Sequence, residues 1–272
     1  MSEESGEAER MAENHRAQTE AARYSRGSIL RSEWMYGQGF QAPGGLATVE
    51  SFCQRLRFRP GMRVLDVGSG LGAADFYLAS RYEAEVLGVD SSAAMVNIST
   101  ERASAEGVRD VSFLHGDIRS AQLGAAFDLI WSRDCILHIS AEEKLALWER
   151  LRSSLVPGGQ LFVTDFCCGP GPHSAEFSRY IGDCQYHLSM IGHYARQLKE
   201  AGFVAVQNED LTADFLASMR GELARLERER ESFLREFTTA DFQYLHERWT
   251  KKIQFCERGE LRWGLFLAQR SE

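Results

Sequence analysis

The run Asp66-Val67-Gly68-Ser69-Gly70-Leu71-Gly72 closes the apolar stretch RVLDV, and a second apolar stretch, VLGVD, ends on Asp90. Closely spaced glycines let a backbone approach a ligand where a Cβ would clash, and an acid ending the next strand can bind the two hydroxyls of a ribose. Together they predict a nucleotide-cofactor pocket. A dinucleotide fingerprint reads G-x-G-x-x-G and rests a pyrophosphate on a helix N-terminus. Here an acid, Asp66, precedes the first glycine. It repels phosphate and suits the ammonium of a methionine moiety, so S-adenosylmethionine fits better than NAD. HGD at His115–Asp117 and FDLIWSRD at Phe127–Asp134 end the next two apolar stretches on polar residues, which argues against a bare strand-to-helix turn.

Alternating strands and helices must position these residues. The pattern predicts strands at Arg63–Val67, Glu85–Val89, Val111–Leu114, Phe127–Ser132, Gln160–Asp165, Val204–Asp210 and Trp263–Ala268. Helices fit at Leu46–Leu56, Ala73–Ser80, Ala93–Glu106, Ala141–Leu151 and His193–Ala201. Such alternation gives an α/β fold, a Rossmann-like doubly wound sheet of seven strands with helices on both faces, whose ligands lie beyond the carboxyl ends of the strands. The acids at those ends then share one rim. Cys168–Gly192 and about Thr212–Arg258 stand outside the pattern, and long insertions at that rim commonly cover a substrate, so both are expected to form helical lids. The charged run ELARLERERESFLREF within the second reads as the solvated face of a helix. Residues 1–23 form an acidic segment expected to be flexible, followed by one catalytic domain over 24–272.

Composition narrows the partners. With 272 residues, 44% of them hydrophobic, the chain can bury one large core with appended lids. A net charge of −8, from 31 basic and 39 acidic residues, argues against a nucleic-acid acceptor gripped by a basic face. Cys53, Cys135, Cys167, Cys168, Cys184 and Cys256 show no paired C-x-x-C spacing and read as free thiols of a reducing cytoplasm. No apolar run reaches membrane-spanning length, and the acidic N-terminus is unlike a secretory signal, so a soluble cytoplasmic protein is expected. The oligomeric state is not encoded in any of these features.

A narrower resemblance rests on four blocks: YGQGFQAPGGL at Tyr36–Leu46, SRDCILHISAEEK at Ser132–Lys144, VPGGQLFVTDFC at Val156–Cys167 and RWGLF at Arg262–Phe266. From about Tyr24 onward, and in register through both insertions, the chain resembles the phosphoethanolamine methyltransferases of the class I methyltransferase superfamily. That resemblance implies a cofactor held by Asp66, Gly68 and Gly70 of the glycine loop, by Asp90, Ser91, Asp117 and Ile118, by Arg133, and by Gln41 and Ala42 before the GG turn. It also implies a tyrosine–histidine pair, Tyr24 and His138, that closes the site and organises proton removal, with Asp134 facing the acceptor. The chemistry agrees with those residue types. Methyl transfer from a sulfonium is an in-line displacement that needs alignment and exclusion of water. An amine or hydroxyl acceptor must also lose a proton, which an imidazole accepts near neutrality, while a carboxylate holds a cationic nitrogen. A metal-assisted site would need oxygen ligands such as Asp134 and Asp165 to converge beside the acceptor; the resemblance favours a metal-free site.

Departures fall on the acceptor side. The family clamps a substrate phosphate with tyrosines, an arginine and a lysine, of which Tyr180, Tyr186 and Lys252 remain in register. Phe166 replaces a tyrosine, Cys184 stands where the arginine is expected, and Ser32 replaces another tyrosine. Losing a charge-assisted phosphate contact costs about 1.5–3 kcal/mol. Arg179 is a substitute cation only if it shares the face of Tyr180, which adjacent helical positions do not. Three losses on one wall point to a larger or less charged acceptor. The main expectation is therefore methylation at nitrogen, carbon or oxygen of a hydrophobic or aromatic small molecule, with Phe166, Phe177, Tyr180, Tyr186 and Trp34 as an apolar wall. The alternatives are phosphoethanolamine N-methylation, with Lys252 and the two tyrosines sufficient for the phosphate, and a non-catalytic S-adenosylmethionine-binding protein.

Overall fold

The structure, a computed structural model, describes residues 25–124 and 126–272. Apolar stretches bounded by glycines or polar turns become its strands: β1 (Arg63–Val67), β2 (Glu85–Asp90), β3 (Val111–His115), β4 (Phe127–Arg133), β5 (Leu155–Cys168), β6 (Val204–Asp210) and β7 (Leu261–Gln269). They form one sheet in the order β3-β2-β1-β4-β5-β7-β6. The pairs from β3 to β5 are parallel, whereas β7 lies antiparallel to both β5 and β6. This is the expected seven-stranded Rossmann-like sheet.

The central strands β1, β4, β5 and β7 are largely buried because both faces are covered, whereas the edge strand β6, Val-Ala-Val-Gln-Asn-Glu-Asp, is mostly exposed. Side chains alternate across a strand, so Val64 of β1 enters one core with Leu129 and Trp131, while Leu65 and Val67 enter the other with Ile130. The described helices are α1 (Arg26–Tyr36), α2 (Gly45–Cys53), α3 (Ala73–Tyr82), α4 (Ala93–Glu106), α5 (Ala141–Ser154), α6 (Ala175–Asp183), α7 (Ile191–Glu200), α8 (Thr212–Arg228), α9 (Arg230–Glu236) and α10 (Thr239–Glu257). The first core takes Phe52 of α2, Leu78 of α3, Phe215 of α8, Phe233 of α9 and Trp249 of α10; the second takes Trp148 of α5 and Tyr194 of α7. Stacked rings join β4 to β5, with Trp131 on Phe162, and α7 to the sheet, with Tyr194 on Phe266, each at 4.1 Å between ring centroids. No described helix is long and apolar enough to cross a membrane.

Local differences from the expected elements have physical causes. β5 is longer than Gln160–Asp165 because Cys167 and Cys168 keep pairing with Arg262 and Leu261 of β7. α2 stops before Leu56, where Arg55 and Leu56 donate to the carbonyls of Phe52 and Cys53 in a tightened turn. The first insertion contains α6 and leads into α7, and the second folds into α8, α9 and α10. α1 has no apolar stripe to announce it, and its partners hold it in place. Glu33 accepts from both terminal nitrogens of Arg102 on α4 at 2.6 and 3.0 Å. Arg225 of α8 donates to the Trp34 and Met35 carbonyls at 2.8 and 2.6 Å, and Arg31 pairs with Asp241 of α10. α1 thereby joins the glycine-loop side of the sheet to the second insertion.

Candidate active site

The carboxyl ends of β1 to β4 meet at one rim, and the glycine loop is fitted into it from both sides. Gly68, Gly70 and Gly72 all adopt left-handed backbone, with φ of 80°, 54° and 82°. A Cβ on Gly68 would lie 2.4 Å from Cys135 Sγ, so the loop presses directly on the turn after β4. Over Gly70 the nearest atom to such a Cβ would be Gln41 Cγ at 3.9 Å, which leaves room for a ligand beneath Gln41. Asp90 is locked by two backbone donors: Gly70 N–H at 2.9 Å to Oδ2 and Ser92 N–H at 2.8 Å to Oδ1. Burial pushes its carboxyl up, while those two donors pull it back down. A carboxylate held in this way presents its remaining lone pairs outward, the geometry that a ribose diol requires.

Behind the loop, Asp66 and Asp75 are both buried, and neither has an ion-pair partner among the described residues. Burial, and then the Asp90 charge, push Asp66 up to about 8 against the opposing pull of Arg133; burial and the Asp66 charge push Asp75 well up. A cationic amino-acid moiety above Gly68 would supply the charge that Asp66 lacks, so these residues fit S-adenosylmethionine. On the neighbouring strand end, Asp117 is held below its usual range by the Arg119 guanidinium, which bonds it at 2.5 Å and also reaches Glu143. Ile118 is buried beside it, its carbonyl taken by Arg150 at 3.0 Å. Ser91 is exposed, and its carbonyl meets His115 Nε2 at 3.1 Å. Arg133 reaches the other way: it donates to the Pro43 carbonyl at 2.7 Å and to Thr48 Oγ1 at 3.0 Å, fastening the turn with Gln41 and Ala42 to β4.

Next to the loop, Asp134 takes a left-handed backbone with φ 52°, a strained conformation for a non-glycine residue. Its N–H donates to the Thr164 carbonyl, and Trp263 Nε1 of β7 donates to Oδ1 at 2.7 Å. Oδ2 is buried without a partner among the described residues, and burial raises the carboxyl. The single turn Ile136–His138 then sets the His138 ring edge-on to Tyr186, 5.3 Å between centroids. Tyr186 also faces Phe166 and Tyr180, each at 6.1 Å. Opposite them Lys252 is fully buried, its Nζ 5.0 Å from the Phe166 ring, 5.3 Å from the Trp249 ring and 3.4 Å from the Tyr36 hydroxyl. Burial, and then the Arg248 charge, lower the Lys252 ammonium to about 7.

The structure therefore gathers Asp134, His138, Phe166, Tyr180, Tyr186 and Lys252 beside the glycine loop. Tyr24 lies outside the described residues. Two members of the expected apolar wall are elsewhere: Trp34 packs edge-on against Phe233 at 5.0 Å with Arg225 over its other side, and Phe177 is buried behind Tyr180 against Phe255. Asp165 accepts from the Tyr194 hydroxyl at 3.2 Å and lies within electrostatic reach of Asp134. Arg179 is exposed and is no substitute for the expected arginine. Sequence reasoning missed Trp263, Tyr36 and Glu222; the last accepts from Gly44 N–H and Trp249 Nε1 and so ties the GG turn to α8 and α10. It also missed Arg248, one helical turn before Lys252; the four-residue spacing puts the two on one face, but nothing in the sequence says that this face turns inward.

Comparison with known proteins points to methyltransferases. Residues 64–159 match a family described as a methyltransferase domain. The chain is 39% identical over 249 residues to phosphoethanolamine N-methyltransferase 1 of Arabidopsis thaliana, an alignment covering 91% of this chain and 50% of the relative. It is 32% identical over 241 residues to the phosphoethanolamine N-methyltransferase of Plasmodium falciparum, covering 88% of this chain and 90% of that protein. The solved structure of Haemonchus contortus phosphoethanolamine N-methyltransferase 2, in complex with phosphomonomethylethanolamine and S-adenosylhomocysteine, superposes with a TM-score of 0.89 at 30% identity, over 92% of this chain and 58% of that one. The chain spans about half the length of the plant relative.

Proposed function

Because this chain belongs to the phosphoethanolamine N-methyltransferase family of class I S-adenosylmethionine-dependent methyltransferases, we propose that it methylates the amine of a phosphobase such as phosphoethanolamine. The observation that carries the reading is Lys252. An ammonium withdrawn from water without a carboxylate partner is costly to maintain, and an anion entering the pocket offsets that cost. Across the pocket stands the Asp134 carboxylate, within electrostatic reach of Lys252. One end suited to a phosphate and the other to an ammonium match a zwitterionic acceptor better than the larger apolar molecule expected from the substituted tyrosine and arginine.

When bound, S-adenosylmethionine supplies a methyl group on a cationic sulfur. In this reading the rest falls to the chain's own residues. Asp90 holds the ribose, and Asp66 holds the amino-acid end against the glycine loop. Asp134, fixed by Trp263, orients the acceptor nitrogen. A ring nitrogen of His138, seated against Tyr186, takes the proton that the amine must lose before it can act as a nucleophile. Phe166, Tyr180, Tyr186 and Trp249 exclude water around it. The test is S-adenosylhomocysteine release with phosphoethanolamine, with ethanolamine and with a set of indoles and phenols as acceptors. Turnover of the first only is the expected result. Equal turnover of both, or turnover restricted to indoles and phenols, overturns the reading.

A further inference from the structure

We infer that Arg248 is a specificity-determining residue of the acceptor site: its guanidinium grips the acceptor's anionic group from α10, in place of a cation at position 184. The inference rests on the phosphobase reading above and adds to it the residue that selects the anion.

Arg248 and Lys252 are four residues apart on α10 and share one face of the helix. That face turns toward Tyr36, through Lys252, and toward Tyr180, through Phe255 at 5.1 Å. The electrostatic neighbours of Arg248 are Tyr180, Tyr186, Tyr244 and Cys184, that is, phenols and a thiol. Its described hydrogen bond goes to the Tyr244 hydroxyl at 2.9 Å, which uses one terminal nitrogen, and no carboxylate among the described residues forms an ion pair with it. Five N–H donors in a fixed fork are therefore only partly engaged, in a half-buried setting next to a second cation. The Tyr180 hydroxyl is shielded from solvent and has no hydrogen-bond partner among the described residues. Two adjacent cations and an unsatisfied phenol form a receptor for a tetrahedral oxyanion, which a guanidinium can bind through two parallel bonds.

Cys184 completes the argument. It is buried at the same spot, close enough to Arg248 to act on it electrostatically, and it is small. An arginine there would set a third cation against Arg248 and Lys252; the thiol leaves both the volume and the charge to Arg248. The pocket thus keeps two cations and draws both from one helix.

The experiment uses the full chain with three variants: Arg248→Met, Arg248→Lys and Arg248→Met with Cys184→Arg. Loss of a charge-assisted bidentate contact should raise KM for phosphoethanolamine on the order of 10- to 100-fold in Arg248→Met, with kcat changed by less than about threefold. Arg248→Lys should recover part of that loss and the added Cys184→Arg most of it. Calorimetry with inorganic phosphate on the S-adenosylhomocysteine-loaded protein gives a second readout, in which Arg248→Met should lose phosphate binding while keeping its affinity for S-adenosylhomocysteine. Wild-type turnover with an unchanged KM in Arg248→Met overturns the inference and leaves the phosphobase reading standing. Arg248-dependent phosphate binding without phosphoethanolamine turnover sinks that reading and keeps the anion clamp. A parallel fall of kcat and cofactor affinity that Cys184→Arg does not repair makes Arg248 structural and overturns the inference.

Discussion

Substituting Gly68 by alanine tests whether the cofactor loop and the turn bearing Asp134 and His138 are mechanically joined. Two costs add at that position. A φ of 80° places any Cβ in the left-handed region, a penalty of about 1–2 kcal/mol. The new methyl would also sit 2.4 Å from Cys135 Sγ and 2.5 Å from its Cβ, so one segment must move, at about 1–3 kcal/mol for overpacking. Gly107, with φ 68° and nothing within 4 Å of its Cβ position, bears the first cost only. Thermal unfolding should therefore show Gly68→Ala less stable than Gly107→Ala by about 1–3 kcal/mol, or roughly 2–4 °C per kcal/mol. Adding Cys135→Gly to Gly68→Ala should recover that difference, whereas Cys135→Ala, which keeps the Cβ, should not. In turnover assays Gly68→Ala should lose kcat/KM well beyond its loss of stability, because displacing Cys135 moves its neighbour Asp134. Equal stability losses for the two glycine variants, or no rescue by Cys135→Gly, would refute the joined-loop argument.

Three further outcomes are expected. Trp263→Phe removes the donor to Asp134 Oδ1 and leaves a buried carboxylate without a protein partner, so kcat/KM should fall about tenfold or more while S-adenosylhomocysteine affinity measured by calorimetry holds. His138→Ala should lower turnover by about 10²–10⁴-fold at unchanged cofactor affinity, the range of a lost general base. Asp66 is raised to about 8, above its unfolded value, so its contribution to stability is complete below about pH 4 and is lost as pH rises through 8. Since the cofactor's ammonium favours the charged form of Asp66 and itself loses its proton at about pH 8, S-adenosylmethionine affinity should strengthen from pH 6 toward pH 8, and Asp66→Asn should flatten that rise.

The cofactor half was legible because its signals are local. Pro60-Gly61 and Gly68 bracket β1, so its ends could be read to the residue, and Asp90 ends an apolar run at the spacing that a ribose ligand requires. The acceptor half was legible only where a motif marked it. Lys252 stood in register with a family, but Arg248 sits in LHERWTKK, where charges recur on both sides of Trp249 and only packing decides which turn faces inward. RWGLF marked Trp263 as part of a strand, yet its bond to Asp134 crosses β5 and depends on where β7 is inserted. Trp34 and Phe177 were aromatic at plausible places, and their neighbours Phe233 and Phe255, distant in sequence, drew them into the core instead. The larger-acceptor expectation counted one arginine lost at the end of α6 and two tyrosines lost from β5 and α1, and it left out Arg248 of α10.

The insertion of β7 between β5 and β6 also sets an order of assembly. β1 to β5, the glycine loop and Asp90 precede β6 and β7 in the chain and are synthesised first. β7 is the last of the seven strands in chain order, and until it arrives the edge of β5 stays open and Asp134 has no indole to bond. β7, with α10 just before it in the chain, fills the place between β5 and β6 and brings Trp263 to Asp134. The wall around Asp134 thus depends on the last strand of the chain, whereas the two backbone donors that hold Asp90 lie within the first half.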